Sequence, residues 1–250
     1  MKSFLTGIIT LLFLIILPLQ SHACFDTYLF IQKGGMNYPC KMFAVDGGGE
    51  YGIGSFKNQT SDVLTGGINL YYGHTNRFSV QVVAVSSEKE RADFRFDDLG
   101  LRGVYNILGG RGSSYNLDVI LEHHMTPEAT GGSYELSAPN IWRNGGLTYV
   151  FHPVAAFGRG VPAGLRGHSG VFYTTGNKAI IGLGAEYESA QSSSNLGKRL
   201  IRGETGTSIF FGSMIGPNLF LQNELIKGWG AGSDKGDTGF AFTLKVLIPR

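Results

Sequence analysis

Hydrophobic and polar residues alternate one by one along several stretches of the chain. Leu117, Val119 and Leu121 share one parity, while Asn116, Asp118, Glu122 and His124 share the other. The pattern returns at Leu147, Tyr149 and Phe151 against Asn144, Thr148 and His152, and at Ile181, Leu183 and Tyr187 against Glu186 and Glu188. Successive side chains of a β-strand point to opposite faces, so each stretch predicts a strand with one apolar and one polar face. The pattern predicts strands near 43–56, 62–73, 77–87, 92–108, 114–125, 143–152, 153–159, 169–175, 179–189, 200–213, 218–229 and 238–248. Beyond the N-terminal signal no stretch carries an amphipathic helical period, and no later apolar run is long enough to span a bilayer as a helix.

The connections decide which way the apolar faces point. Short ones are expected at Gly73-His74-Thr75-Asn76, Gly109 to Ser113, His152-Pro153, Thr175-Gly176-Asn177 and Met214 to Asn218. Mostly longer ones fall between them, at Ser86 to Arg91, Thr126 to Trp142, Gly160 to His168, Ser189 to Arg199 and Gly230 to Asp237. Short and long links in turn are the mark of a transmembrane, antiparallel, up-and-down β-barrel, with periplasmic turns at one end and outer loops at the other. A soluble sandwich, whose apolar faces meet in a core, has no reason to alternate in this way. The expected fold is therefore all-β, a barrel of about twelve strands (roughly 10–14) whose apolar face meets lipid and whose polar face lines the lumen.

Two details refine this expectation. Phe94 and Phe96 share one parity and Leu99, Leu101, Tyr105 and Ile107 the other, so one extra residue near Asp97-Asp98 predicts a β-bulge. Tyr51, Tyr72, Phe78, Tyr115, Phe151, Tyr173, Tyr187, Phe211, Trp229 and Phe240 lie where interfacial aromatic girdles would need them.

The N-terminus supplies the compartment. Met1-Lys2-Ser3, the apolar run Phe4 to Leu17, Pro18 and then Ser21-His22-Ala23 form a cleavable secretion signal over residues 1–23. Residues 24–42 follow as a segment that serves either as a plug or as an extra strand, and 43–250 form the barrel domain. The two cysteines, Cys24 and Cys40, are expected to pair in an oxidising compartment, closing a loop for about 3 kcal/mol. A lipid on Cys24 would exclude that disulfide; Ser21, where a lipobox wants a Leu-like residue, argues against it.

Composition narrows the function. Glycine accounts for 38 of 250 residues and suits turns and curved strands. A formal charge of +2 excludes the basic face of a nucleic-acid binder. Gly47-Gly48-Gly49-Glu50-Tyr51-Gly52 fits a dinucleotide fingerprint in letters only, because a strand rather than a helix follows. Of Glu122, His123 and His124 only the first and last share a face, and two ligands make no zinc site, so no metal and no cofactor is expected. His168 and Ser169 are adjacent and so cannot work together across a pleat; His168 is assigned to a loop. The inward parity gathers Arg102, Asp118, Glu122, His124, Glu186, Glu188, Arg202, Glu204, Gln222, Glu224 and Lys245 as candidates to line the lumen.

The tail carries a resemblance. Gly216-Pro217-Asn218-Leu219-Phe220-Leu221, then Lys227-Gly228-Trp229-Gly230-Ala231-Gly232-Ser233-Asp234 and an alternating last strand, resembles outer-membrane transporters of the "MetA pathway of phenol degradation" type. Asp97-Asp98-Leu99-Gly100-Leu101-Arg102-Gly103 resembles strand starts of the same group. The last strand departs from the terminal aromatic usual in such barrels, ending in Pro249-Arg250. The resemblance implies a bacterial outer-membrane barrel that helps small hydrophobic or aromatic molecules cross, and it transfers no binding residue. The expected function is a channel or transporter whose partners are outer-membrane lipid and a small solute. The alternatives are a closed barrel with a structural or loop-binding role and, more remotely, a lipid-modifying barrel enzyme.

Overall fold

The computed structural model describes residues 37–53, 63–90, 93–110, 112–125, 132–158, 161–176, 179–188, 205–216, 219–229 and 238–248. The expected signal, Cys24, Arg202 and Glu204 lie outside these residues. Thirteen strands form one antiparallel sheet among them. They are β1 (Phe43–Ile53), β2 (Val63–Gly73), β3 (Phe78–Glu90), β4 (Asp93–Leu108), β5 (Tyr115–Met125), β6 (Ser133–Ser137), β7 (Asn140–Asn144), β8 (Leu147–Gly158), β9 (Val161–Thr175), β10 (Ala179–Glu188), β11 (Thr205–Gly216), β12 (Leu219–Trp229) and β13 (Thr238–Ile248).

Except for β6 and β7, consecutive strands pair with one another, and β1 pairs with β13, so the sheet closes on itself. The short strands β6 and β7 lie end to end between β5 and β8, so together they make one stave and the barrel has twelve. Closure leaves no sheet edge without a partner, which lipid would penalise heavily. β1 begins and β13 ends at the same rim, the one carrying the tight turns.

Alternation decides the faces as expected. On β5, Leu121 is 52% exposed and Glu122 4%. In a closed barrel such exposure means the outside, and the outside is greasy: Ile68, Leu70, Leu101, Ile181, Leu183, Ile209 and Leu225 all project there. Toward the turn rim this belt carries Tyr72, Trp142, Tyr173 and Phe211, and toward the other rim Tyr51, Tyr134, Phe157 and Tyr187. Tyr115 packs on Trp142, and Tyr134 stacks between Phe157 and His123. A soluble chain would not display such a belt; a membrane barrel requires it. The barrel belongs in a bacterial outer membrane.

Several expectations about individual strands need correction. The stretch from Thr126 to Trp142 is not one long loop, because β6 and β7 occupy 133–137 and 140–144. His152-Pro153 is not a turn, because β8 runs through it. The two errors share a cause. Pro153 has no N–H to give, and the neighbouring stave is interrupted opposite it at Ala138-Pro139. Around the gap, Ala138 N–H donates to the Pro153 carbonyl and Asp118 N–H to the Pro139 carbonyl. Nor is Gly160 to His168 a loop, since β9 begins at Val161. Its outward positions include Gly167 and Ser169, too small and polar to show an apolar face.

The β-bulge at Asp97-Asp98 is present. Val85 pairs with Asp98 and the next residue, Ser86, with Phe96, which leaves Asp97 extra. At the β7–β8 hairpin, Gly145 takes φ 59° at the first turn position, where a side chain would be strained.

Candidate functional site

The lumen has two levels. Nearer the turn rim, Tyr38, Ala44, Tyr71, Val104, Ile120, Ile141, Val150, Phe172, Ile180, Phe210 and Phe220 form a single buried apolar cluster, with Met42 and Met214 packed against it. The register explains the ring: Ala44 is opposite Tyr71, Val104 opposite Ile120, and Ile141 opposite Val150. Inward-facing glycines make room for its aromatics, since a Cβ on Gly182 would meet the Phe210 ring and one on Gly212 the Phe220 ring. We call this layer the floor.

One member of the floor is not on a strand. Tyr38 precedes β1, stacks on Tyr71 with ring centroids 5.3 Å apart, and donates its amide N–H to Ser79 Oγ at 3.0 Å. Lys41 N–H donates to the Gly73 carbonyl and Gly73 N–H to the Met42 carbonyl, at 2.7 and 3.0 Å. Pro39 lies so close over Gly73 that any Cβ there would collide with its carbonyl. The described part of the N-terminal segment thus lies across the turn end of the barrel and forms no strand. Cys40 is exposed, 3.5 Å from the His74 carbonyl; its expected partner Cys24 lies outside the described residues.

Beyond the floor, toward the long connections, the wall becomes ionic. Gln81, Arg102, Glu122 and Glu135 are successive cross-strand neighbours on β3, β4, β5 and β6. Arg102 donates from Nε to Glu122 Oε2 at 2.7 Å and from Nη1 to Gln81 Oε1 at 3.1 Å. Glu135 faces Glu122 directly, an unfavourable pairing of like charges. Arg166, from β9, offsets it by pairing with Glu135. His124 lies between them, with Nδ1 2.6 Å from Asp98 Oδ2 and Nε2 3.3 Å from Glu122 Oε1 and 4.0 Å from Glu135 Oε1. Across the lumen wall, His168 Nδ1 is 3.5 Å from Glu186 Oε2, and the His152 and His168 rings are 5.8 Å apart. Asn69 donates to Asp46 at 2.6 Å. Gln222 and Glu224 are buried on β12.

Of the residues expected to line the lumen, Arg102, Glu122, His124, Glu186, Gln222 and Glu224 therefore reach this ionic tier. Asp118 also points inward but sits on the turn side of the floor, where it accepts from Asn106 at 2.7 Å and anchors the β4–β5 connection. Glu188 and Lys245 fall on strands, at register positions opposite Arg166 and Asp46. The assignment of His168 to a loop is overturned: it is in β9 and buried. Ser169 points the other way, 3.5 Å from the Ala185 carbonyl, so the two do not form a catalytic pair. Sequence reasoning left Asp46, Asp98, Glu135, Arg166 and His168 out of the lumen set, and it put His152 on the polar face but at a turn. A signal for Glu135 existed, since Tyr134 and Leu136 alternate with Ser133, Glu135 and Ser137.

The comparisons agree with this geometry at the level of fold. An outer membrane channel from Pseudomonas putida F1 superposes with a TM-score of 0.59 at 10% identity, over 84% of this chain and 97% of that one. KdgM porin gives 0.58 at 10% identity, over 82% and 99%. Outer membrane phospholipase A from Escherichia coli gives 0.51 at 10% identity, over 84% and 91%. No family model and no curated protein matches the sequence. The chain has the fold of the outer-membrane β-barrels, while the particular family resembled by its tail is not shown.

Proposed function

We propose that this barrel is an outer-membrane channel for small molecules, closed at its turn end by the floor and gated there by residues 37–42. The observation that carries the reading is the ionic tier: charges of both signs, from Arg102 to Glu186, line the inside of a closed barrel with a lipid-facing exterior. A purely structural barrel gains little from placing such groups in its interior, where desolvation opposes them. A solute path uses them to select by charge. Two structural neighbours are themselves called a channel and a porin, which supports the reading at the level of fold. The tail's resemblance suggests small hydrophobic or aromatic solutes, and the apolar floor with its Phe172, Phe210 and Phe220 rings suits the passage of such molecules. No covalent chemistry is involved.

The gate follows from construction. Tyr38 lies on no strand: its contacts include the stack on Tyr71 and its amide's hydrogen bond to Ser79, and Pro39 next to it fits closely over Gly73, whereas the other floor residues except Met42 are set in the hydrogen-bonded wall. As a cluster member on no strand, it can leave without breaking the sheet.

A second reading, a permanently closed barrel with a structural or loop-binding role, is favoured by one feature: Glu122 and Glu135 are each already paired with an arginine. Single-channel recording of the mature chain in planar bilayers separates the two. Discrete currents whose ion preference changes in Glu224→Ala support the channel. A folded, heat-modifiable barrel that stays silent under all voltages and solutes supports the closed reading.

A further inference from the structure

We propose that Glu122, His124 and Glu135 form a binding site for a divalent transition-metal cation, of the Zn²⁺ class, in the ionic tier. One nitrogen and two carboxylate oxygens, contributed by β5 and β6, lie within 4.8 Å of one another. The arrangement is more than a cluster of acids, because His124 is oriented for the role. Asp98 Oδ2 is 2.6 Å from its Nδ1, so in the neutral ring the proton sits on that nitrogen and Nε2 is left to bind a metal. This is the carboxylate–histidine pairing that orients metal-bound imidazoles.

The freed Nε2 points at the two glutamates but hydrogen-bonds to neither. His124 is 5% exposed, and its Nε2 has no hydrogen-bond partner among the described residues. An unsatisfied ring nitrogen buried beside two carboxylate oxygens is costly, and a cation between them removes the cost. The spacing fits. Ligands about 2.0–2.1 Å from a tetrahedral zinc stand roughly 3.4 Å apart. Nε2 to Glu122 Oε1 is 3.3 Å, and Glu135 Oε1, at 4.0 Å from Nε2, needs only a small side-chain shift.

Charge fits as well. Asp98, Glu122 and Glu135 set three carboxylates against the guanidiniums of Arg102 and Arg166, leaving negative charge for a cation to meet. Arg102 holds Glu122 through Oε2, so Oε1 is presented to the metal. Mixed imidazole and carboxylate donors favour Zn²⁺ and its neighbours over Mg²⁺ or Ca²⁺, which prefer oxygen alone. Water or a solute atom would complete the coordination. The cluster lies on the side of the floor that faces the long connections, since His124 is next to the last residue of β5.

The test is calorimetric titration of ZnCl₂ into chelator-stripped mature protein in detergent. One Zn²⁺ should bind per barrel and resist competition by Mg²⁺. His124→Gln and Glu135→Gln should each weaken binding at least about tenfold, and Asp98→Asn by roughly 10–100-fold through the lost orientation of the ring. His74→Gln, at an exposed turn position, should leave it unchanged. Absence of binding, or undiminished affinity in a folded His124→Gln barrel, overturns the site. Should the variants lose their heat-modifiable fold, X-ray absorption at the zinc edge of the wild-type protein decides. One imidazole nitrogen with carboxylate oxygens supports the site, while sulfur, several imidazoles or no retained zinc refutes it. None of these readouts depends on conduction.

Discussion

The floor and the ionic tier are built by the same strands, one inward position apart. On β5, Ile120 belongs to the floor and Glu122 to the tier; on β4, Val104 and Arg102 divide in the same way. The floor resembles the core of a soluble protein, with interlocking rings, glycine recesses and no charge. The tier is held by hydrogen bonds and ion pairs, and its arginines keep some contact with solvent, Arg102 being 23% exposed. The difference teaches that one barrel can divide its tasks by height. On the reading proposed above, apolar packing closes the path and the charged level supplies selectivity and, with His124, a place for a cation.

The comparison can be broken from either side. The largest effect is expected in the floor, where Phe210→Ala removes a buried ring and leaves a cavity. It should lower unfolding stability in lipid vesicles by about 3–5 kcal/mol, measured by urea titration. Next comes the wall between the levels and the membrane. Leu121→Lys, one residue from Glu122 but on the opposite face, should cost roughly 2–4 kcal/mol in the same assay. A harmless lysine there would contradict the inside-out orientation. In the tier, Arg102→Met leaves Glu122 without its guanidinium and should cost about 1–3 kcal/mol, less than a dry core would exact because the site is partly wet. The smallest effect on stability is expected from Glu224→Ala, which should alter ion preference in single-channel recordings while the barrel folds as before; loss of folding would assign Glu224 to the structural network.

How much of this was legible depended on the outer face of each strand. β5 and β10 announce themselves because their lipid-facing positions are bulky, and their parity puts Glu122, His124 and Glu186 on the face that the structure turns inward. The register break at Asp97-Asp98 was readable for the same reason. β9 was half hidden because Gly167 and Ser169 face lipid without looking apolar, and with it Arg166 and His168 were lost. The β6–β7 stave disappeared behind Ala138-Pro139, and Pro153 then looked like a turn, so one strand was split and another missed. The expected number of about twelve survived only because these errors offset each other. Glu135 was lost with its strand, which is why the third potential ligand beside Glu122 and His124 emerged only in three dimensions. The floor was not legible at all, since closing a ring from Ala44, Val104, Ile120 and Phe172 requires the register of every stave.

The central claim is that the floor closes the path and that Tyr38 is its removable part. The direct measurement is single-channel conductance of the barrel compared with its Tyr38→Ala variant in the same planar bilayers. The variant should stay open longer or pass more current, with ion preference unchanged because the ionic tier is intact. Currents indistinguishable from those of the unaltered barrel would contradict the gate.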